Sequence, residues 1–482
     1  MKNTFKAHPL TIYYFIKPYS FVFILPVLKG LIQYIFYREI TGVLFLELVL
    51  LTGLLLLALL RLFAFKVHFE EETLTIKRGF FIRQTSTINK RYISSVEISR
   101  DPLDLLFGSA RIRINTEAGR RNSPDFQLKM KYKDAQRLYF LLYGEDITIK
   151  NKFSPVKVAL MSAATSSAGT GLLIGVPVIN QIGRTLGVSL ADMLFYELNT
   201  VSHKINTYTP PVVNLITLIA LVAYSFSFLV SFFRNVGFSL GQNGGKIEIR
   251  SGFFTKRQTV FKKESINNVC IEQNPVMRLF HVFSLRASVA GYGCGRNERA
   301  LLMPCAPENE IKEMFRTCFS ALSPDGSYLK APHNYRNGRR FLYVPTLLAV
   351  IVIALAILEG VFFPELISPI LFANSVLLVL VVYYGNISVK SYRQGKISFG
   401  DNVTAQGGHG LSYRKLYCKK EKIGVIKITR TPADLKYDTC KVKLTVCSES
   451  ADSIRIKNIS YPSLCRNVEN CYGIDGIYCE KG

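Results

Sequence analysis

The chain has 482 residues, and its 60 Lys and Arg against 34 Asp and Glu give a formal net charge of +26. Yet 49% of the residues are apolar and the mean hydropathy is +0.21. That combination disfavours a soluble nucleic-acid-binding protein and points to a membrane protein whose basic parts face the cytoplasm.

Phe21 to Phe36 and Thr41 to Phe65 are apolar runs separated by Tyr37-Arg-Glu-Ile40. A helix needs about 20 residues to cross a bilayer, so residues 1–65 are expected to form a transmembrane hairpin. Lys2, Lys6 and Lys17 precede the first run as in a signal peptide, but no small-residue cleavage site follows. An uncleaved first helix is therefore expected. Lys29 and Glu47 lie well inside the hairpin, equally far along the chain from Arg38. A charge in hydrocarbon needs a partner, so the two are expected to form an intramembrane ion pair. It either pins helix register or serves as an ion or proton site. No polar chain leads to it, which favours the register role.

Residues 66–157 read as a first extramembrane domain. Leu74 and Ile76, Val96 and Ile98, Ile112 and Ile114, and Phe126, Leu128 and Met130 alternate with other residues. Period two predicts antiparallel strands buried on one face. Ala135, Leu138, Leu141 and Leu142 share a helical face, and Gly144 stops that helix. Residues 158–233 form a second hairpin. Its first half contains Ser162, Ser166, Gly169, Gly171 and Gly175, and the Gly171–Gly175 spacing allows close helix approach. Residues 183–210 place Leu186, Leu190, Met193, Leu194, Leu198, Val201 and Ile205 on one face. An amphipathic helix on the far membrane surface is expected, with a lid over a pore as the alternative.

A second β domain occupies residues 234–340, closed by a helix presenting Ile311, Met314, Phe315 and Phe319. Residues 341–384 make a third hairpin turning at Pro364-Glu-Leu366, and residues 385–482 a third, divergent β domain whose helix includes Tyr461, Leu464, Val468 and Cys471. The expected fold is a membrane protein of mixed α and β structure. Six transmembrane helices form three hairpins, each followed by a small β-barrel capped by a C-terminal helix. Loops 37–40, 183–210 and 364–366 contain only Arg38, Arg184 and Lys204 as basic residues. The positive-inside rule then puts both termini and all three domains in the cytoplasm.

The domains repeat one pattern. Lys77-Arg-Gly-Phe80, Ile93-x-x-Val-x-Ile98, Pro102, Leu105-Leu-Phe-Gly108 and Ala110-Arg-Ile-Arg-Ile114 return as Arg250-Ser-Gly-Phe253, Ile266-x-x-Val-x-Ile271, Pro275 and Leu279-Phe280. His281 then stands where the first copy has Gly108. A worn third copy has His409 at the turn, Ile423, Ile426, Ile428 and Pro432, and Asp438 at the Gly108 position. In these residues the chain resembles the bacterial pleckstrin-homology-like (YdbS/YdbT-type) membrane protein family. The resemblance implies a partly open β-barrel with a helical cap in the bacterial plasma membrane, and no enzymatic activity.

No metalloprotease, phosphate-loop or nucleophile-elbow motif occurs. Six scattered His make no cluster, and the ten Cys, all after residue 269, show no metal-ligand spacing. No catalytic residue, cofactor or metal is expected. The candidate contacts for anionic lipid or a protein partner are the basic residues around two equivalent turns: Lys77, Arg78 and Arg83, and Arg250, Lys256 and Arg257. The expected role is a non-enzymatic scaffold that binds the inner leaflet or membrane and cytoplasmic proteins. A homo- or hetero-oligomer is compatible with it. The alternative is a component of a transport, export or envelope-defence system.

Overall fold

The computed structural model describes residues 3–16, 42–79, 83–117, 124–144, 149–186, 188–204, 211–292, 299–324, 326–330, 335–409, 412–447 and 452–473. The chain divides into two compact units. One comprises Met1–Lys152, Ser239–Ser265 and Ala290–Arg296, and the other Phe153–Phe238, Ile266–Val289 and Asn297–Gly482.

In the first unit, β1 (Asn3–Lys6), β2 (Lys66–Glu70), β3 (Thr73–Arg78) and β4 (Gln84–Asn89) form a four-stranded sheet in that order. The helices are α1 (Leu10–Ile16), α2 (Gly42–Ala64), α3 (Pro102–Leu106) and α4 (Tyr132–Tyr143). A seven-stranded sheet contains β5 (Ile93–Arg100), β6 (Ser109–Thr116), β7 (Phe126–Lys131), β8 (Ile149–Lys152), β9 (Ser239–Asn243), β10 (Lys246–Ser251) and β11 (Lys256–Lys262). Its order is β7-β6-β5-β11-β10-β9-β8. The alternating residues reach one core, where Leu74, Ile76, Val96, Ile98, Ile112, Ile114 and Met130 pack with Leu138 and Leu142 of α4. Burying each such side chain contributes about 1.5–3 kcal/mol. Gly144, at φ 82°, ends α4 as expected.

In the second unit, β12 (Ile266–Gln273), β13 (Phe283–Val289), β14 (Ala300–Ala306), β15 (Leu329–Lys330), β16 (Lys396–Ser398), β17 (Asn402–His409) and β18 (Ser412–Lys419) form the sheet β14-β13-β12-β18-β17-β16-β15. β19 (Ile423–Thr429), β20 (Thr439–Val446) and β21 (Ser453–Ser460) form another. Its helices are α5 (Pro155–Thr165), α6 (Ala168–Leu186), α7 (Leu190–Lys204), α8 (Pro211–Asn235), α9 (Pro275–Leu279), α10 (Glu308–Phe319), α11 (Tyr335–Phe362), α12 (Ile367–Gln394), α13 (Pro432–Lys436) and α14 (Tyr461–Tyr472). The expected amphipathic segment is the helix α7, and the expected closing helices are α4, α10 and α14.

Two expectations, the small barrels and the six spans, are met only in part. No closed barrel occurs among the described residues. β5 of the first repeat pairs along its outer edge with β11 of the second, and β12 pairs likewise with β18 of the third. A strand edge satisfies its backbone groups with the extended strand beside it, and here the next repeat supplies that strand.

Fewer than six spans are found among the described residues. Among the described residues, three helices are long and apolar enough to cross a membrane: Asn214–Asn235, Phe341–Phe362 and Ile370–Gln394. Phe21–Phe36 lies outside the described residues, and the apolar stretch Val49–Ala64 is shorter. A fourth span is counted only if α5 and α6 are taken together, and they meet at 94°. The break has a local cause. Ser166 turns to extended backbone and its hydroxyl donates to the Ser162 carbonyl at 2.6 Å, while Ser167 Oγ accepts from the Thr170 amide at 3.2 Å. One serine ends the first helix and the next caps the second. Beyond the break, Gly171 of α6 packs on Ala223 of α8, and Thr170 and Ser227 hydroxyls meet at 2.8 Å.

Candidate functional site

The two basic turns lie in different sheets. Lys77 and Arg78 end β3, Arg83 precedes β4, and all three are exposed. Arg78 Nε donates to Gln84 Oε1 at 2.9 Å. Phe80, Phe81 and Ile82 lie outside the described residues. Gly79 turns the chain at φ 95°, and the equivalent Gly252 at φ 105°. These are backbone conformations that glycine adopts without a steric penalty.

The second turn joins β10 to β11. At its tip, Phe253 and Phe254 are 56% and 55% exposed, their rings edge to face at 5.0 Å. Lys256 is exposed and Arg257 half-buried. Arg250 is committed elsewhere. Its Nε binds Glu248 Oε1, and Gln258 Nε2 donates to the same oxygen at 2.8 Å. Glu248 is buried, so Arg250 compensates a carboxylate inside the sheet. Lys29 lies outside the described residues, as does the side chain of Glu47.

Sequence reading missed the apolar residues beside the second turn. Lys256 stands opposite Arg100, and Thr255 Oγ1 donates to Asp101 Oδ1 at 3.3 Å. Asp101 caps α3, which exposes Leu103 at 37% and Leu106 at 77%, followed by Phe107 at 56%. So the turn with the two exposed Phe, Lys256 and Arg257 is joined through Thr255 and Asp101 to the helix that carries a further exposed apolar ledge. The signal was present in the motif itself. In the second repeat, Leu279 and Phe280 are exposed by 74% and 55%.

The ledge is anchored from beneath. Asp104 of α3 is fully buried and accepts from Lys129 Nζ at 2.7 Å and Ser109 Oγ at 2.6 Å. Burial pushes its carboxyl upward, but the bonds from Lys129 and Ser109 outweigh that and hold it below its ordinary value. Tyr14 of α1 lays its ring 3.2 Å from Lys129 Nζ, a cation–π contact. This ties α1 to the seven-stranded sheet.

The second unit carries its own charge cluster. Glu272 binds Arg299, Arg414 at 2.9 Å and Arg286 at 3.7 Å, and Arg299 also binds Asp452. Burial pushes Glu272 up, but Arg414, Arg299 and Arg286 together hold it below the usual carboxylate range. Glu272 and Arg414 are cross-strand neighbours of β12 and β18, so the cluster fastens two repeats. Among the described residues, no three His, Cys, Asp or Glu are placed to hold a metal. The thiols of Cys270, Cys305, Cys418 and Cys440 are pushed up to about 12 by burial. They are protonated at neutral pH and unsuited to nucleophilic work.

A family profile described as Bacterial PH domain matches residues 20–145 and 190–321, together more than half of the chain. No curated protein and no solved structure matches.

Proposed function

Because the chain belongs to the bacterial PH domain family, with two matched copies, we propose that it is a non-enzymatic membrane protein whose PH-like sheets dock on the anionic inner leaflet of a bacterial plasma membrane and scaffold proteins there. The observation behind this reading is the exposed Phe253–Phe254 tip, followed in the chain by Lys256 and Arg257 and joined through Thr255 and Asp101 to the helix that exposes Leu106. Aromatic residues favour the headgroup level of a bilayer. Basic residues near an anionic leaflet gain about 1 kcal/mol each. Arg250 adds little to this attraction, because Glu248 neutralises it. Lys77, Arg78 and Arg83, all three exposed, supply a second basic group.

Strand pairing supports a single-sided arrangement. Lys6 faces Lys66, Lys152 faces Ser239, and Lys330 faces Lys396. Each apolar excursion therefore leaves and returns one strand apart, about 4.8 Å. Both ends of an excursion then belong on one side of a bilayer, the side that the basic residues mark as cytoplasmic.

The sequence contains no Trp, so Phe254→Trp creates a unique fluorophore at the tip. The full chain carrying it is reconstituted into nanodiscs of anionic or neutral lipid. Blue-shifted emission in anionic discs only, reversed by salt and by Lys256→Gln with Arg257→Gln, is expected. Identical emission in both lipids would sink lipid docking. The 94° break at Ser166–Ser167 favours one second reading, a transport or export component. Proteoliposomes leaking an entrapped solute faster than protein-free vesicles would support it.

A further inference from the structure

The same inter-repeat junction is built twice within the chain. In one, Val96 of β5 stands opposite Val260 of β11; in the other, Val269 of β12 stands opposite Tyr417 of β18. The registers are equivalent, since Val96 and Val269 hold the same place in their repeats, as do Val260 and Tyr417. Each junction is also pinned by a hydroxyl from the later repeat. Thr255 Oγ1 donates to Asp101 at 3.3 Å, and Ser412 Oγ donates to Asn274 Oδ1 at 2.9 Å.

Both strand types recur at sheet edges. β4 is the counterpart of β11 and β18 in the first repeat, and it is the outermost strand of its sheet. β19 is the counterpart of β5 and β12 in the third repeat, and it too is outermost. Among the described residues, no strand pairs with the outer edge of either. Their side chains show the difference. Val260 and Tyr417 are buried, whereas the equivalent Thr87 is exposed. Ser95 and Asn268 are 1% and 0% exposed, whereas the equivalent Val425 is 56% exposed. Both edges are rich in β-branched residues and free of Pro, a composition suited to pairing.

We infer that β19 of one copy pairs antiparallel with β4 of a second copy, head to tail, with Ile426 opposite Thr87. The occupant is a second copy because the two internal junctions specify it. A β19-type strand takes a β4-type strand in this register, and each copy offers one of each. In that register Val425 meets Ile88, Lys427 meets Ser86 and Thr429 meets Gln84. Arg430 meets Arg83 at the strand end, where the first internal junction already sets Arg100 opposite Lys256. Backbone hydrogen bonds supply the attraction and the side chains the register. The contact is heterologous, so copies join into a closed ring or an open row.

Two differently tagged full-length chains test this in one membrane. One carries Thr87→Cys and the other Ile426→Cys. Directly opposed residues place their Cβ atoms about 4.5–5.5 Å apart, close enough for a disulfide after small adjustment. Mild oxidation should give a product bearing both tags, absent with the unsubstituted chains and lost when Thr429→Cys replaces Ile426→Cys. Ser99→Cys with Arg257→Cys, across the first internal junction, serves as the positive control. A Thr87→Cys/Ile426→Cys double variant that links only within one chain overturns the inference. So does the absence of any mixed product while the control pair closes.

Discussion

Lys129 Nζ lies 2.7 Å from Asp104 Oδ1 in the first repeat, both side chains at most 5% exposed. The third residue of the equivalent helix in the second repeat is Met277, which packs instead with Met161 and Cys305. One backbone position thus tolerates an ion pair or an apolar contact. Removing one partner strands a buried charge, whereas replacing both need not destabilise. Lys129→Met is expected to destabilise the first unit by about 3–5 kcal/mol. Adding Asp104→Met should restore much of the loss. Hydrogen exchange of β6 and β7 in the purified chain measures both, and simple additivity would refute the coupling.

Gly108, His281 and Asp438 end the three Pro-initiated helices at φ 67°, 52° and 48°. The left-handed conformation costs a residue with a Cβ roughly 1–2 kcal/mol, partly offset by the unfolded-state entropy of glycine, about 0.5–1 kcal/mol. His281→Gly should therefore raise the thermal midpoint slightly and Gly108→Val should lower it. An unchanged midpoint for Gly108→Val would mean that the turn relaxes freely.

A Cβ at Gly171 would overlap the backbone of Ala223, while one at Gly175 would sit 3.4 Å from the Phe226 ring. The two glycines of this spacing are therefore unequal. Gly171→Leu should separate α6 from α8 and lower folded yield in the membrane. Gly175→Ala should be close to neutral. Equal losses would contradict the close approach.

Glu272 has its folded-state pKa below its ordinary value, so it stabilises the fold above its unfolded pKa. That stabilisation is lost as pH falls through the lower, folded value. The junction of β12 and β18 should loosen at acid pH, below the ordinary carboxylate range. Glu272→Gln should be less stable at neutral pH and should lose less between neutral and acid pH. Parallel stability curves for the two proteins would exclude this role.

Cysteine labelling of intact cells tests the orientation. Cys440 is buried and makes a poor reporter, whereas Cys447 is exposed. An impermeant maleimide should label Tyr196→Cys in α7, where Tyr196 is 70% exposed, and leave Cys447 unmodified until the cells are broken. Labelling of Cys447 from outside would reverse the topology.

The strand positions and the closing helices follow from local sequence, because side-chain alternation, turn glycines and N-terminal prolines act over a few residues. Val96 and Ile98, and Leu138 and Leu142, stand where period and punctuation put them, whereas the short helices that begin at Pro102, Pro275 and Pro432 were legible only as a repeated motif. The burden on Arg250 was legible too, since Glu248 two residues earlier points to the same face of a strand. Strand partnership was not legible in this way. A backbone edge bonds whichever extended strand lies beside it, so β5 and β12 are completed by strands about 140 or more residues away. Nor did hydropathy reveal the bend at Ser166–Ser167, because it averages over a window in which two hydroxyls redirect the chain. The tertiary structure decided these matters through groups that carry no periodic signal: unpaired backbone edges, capping hydroxyls, and charges that meet only once the sheets assemble.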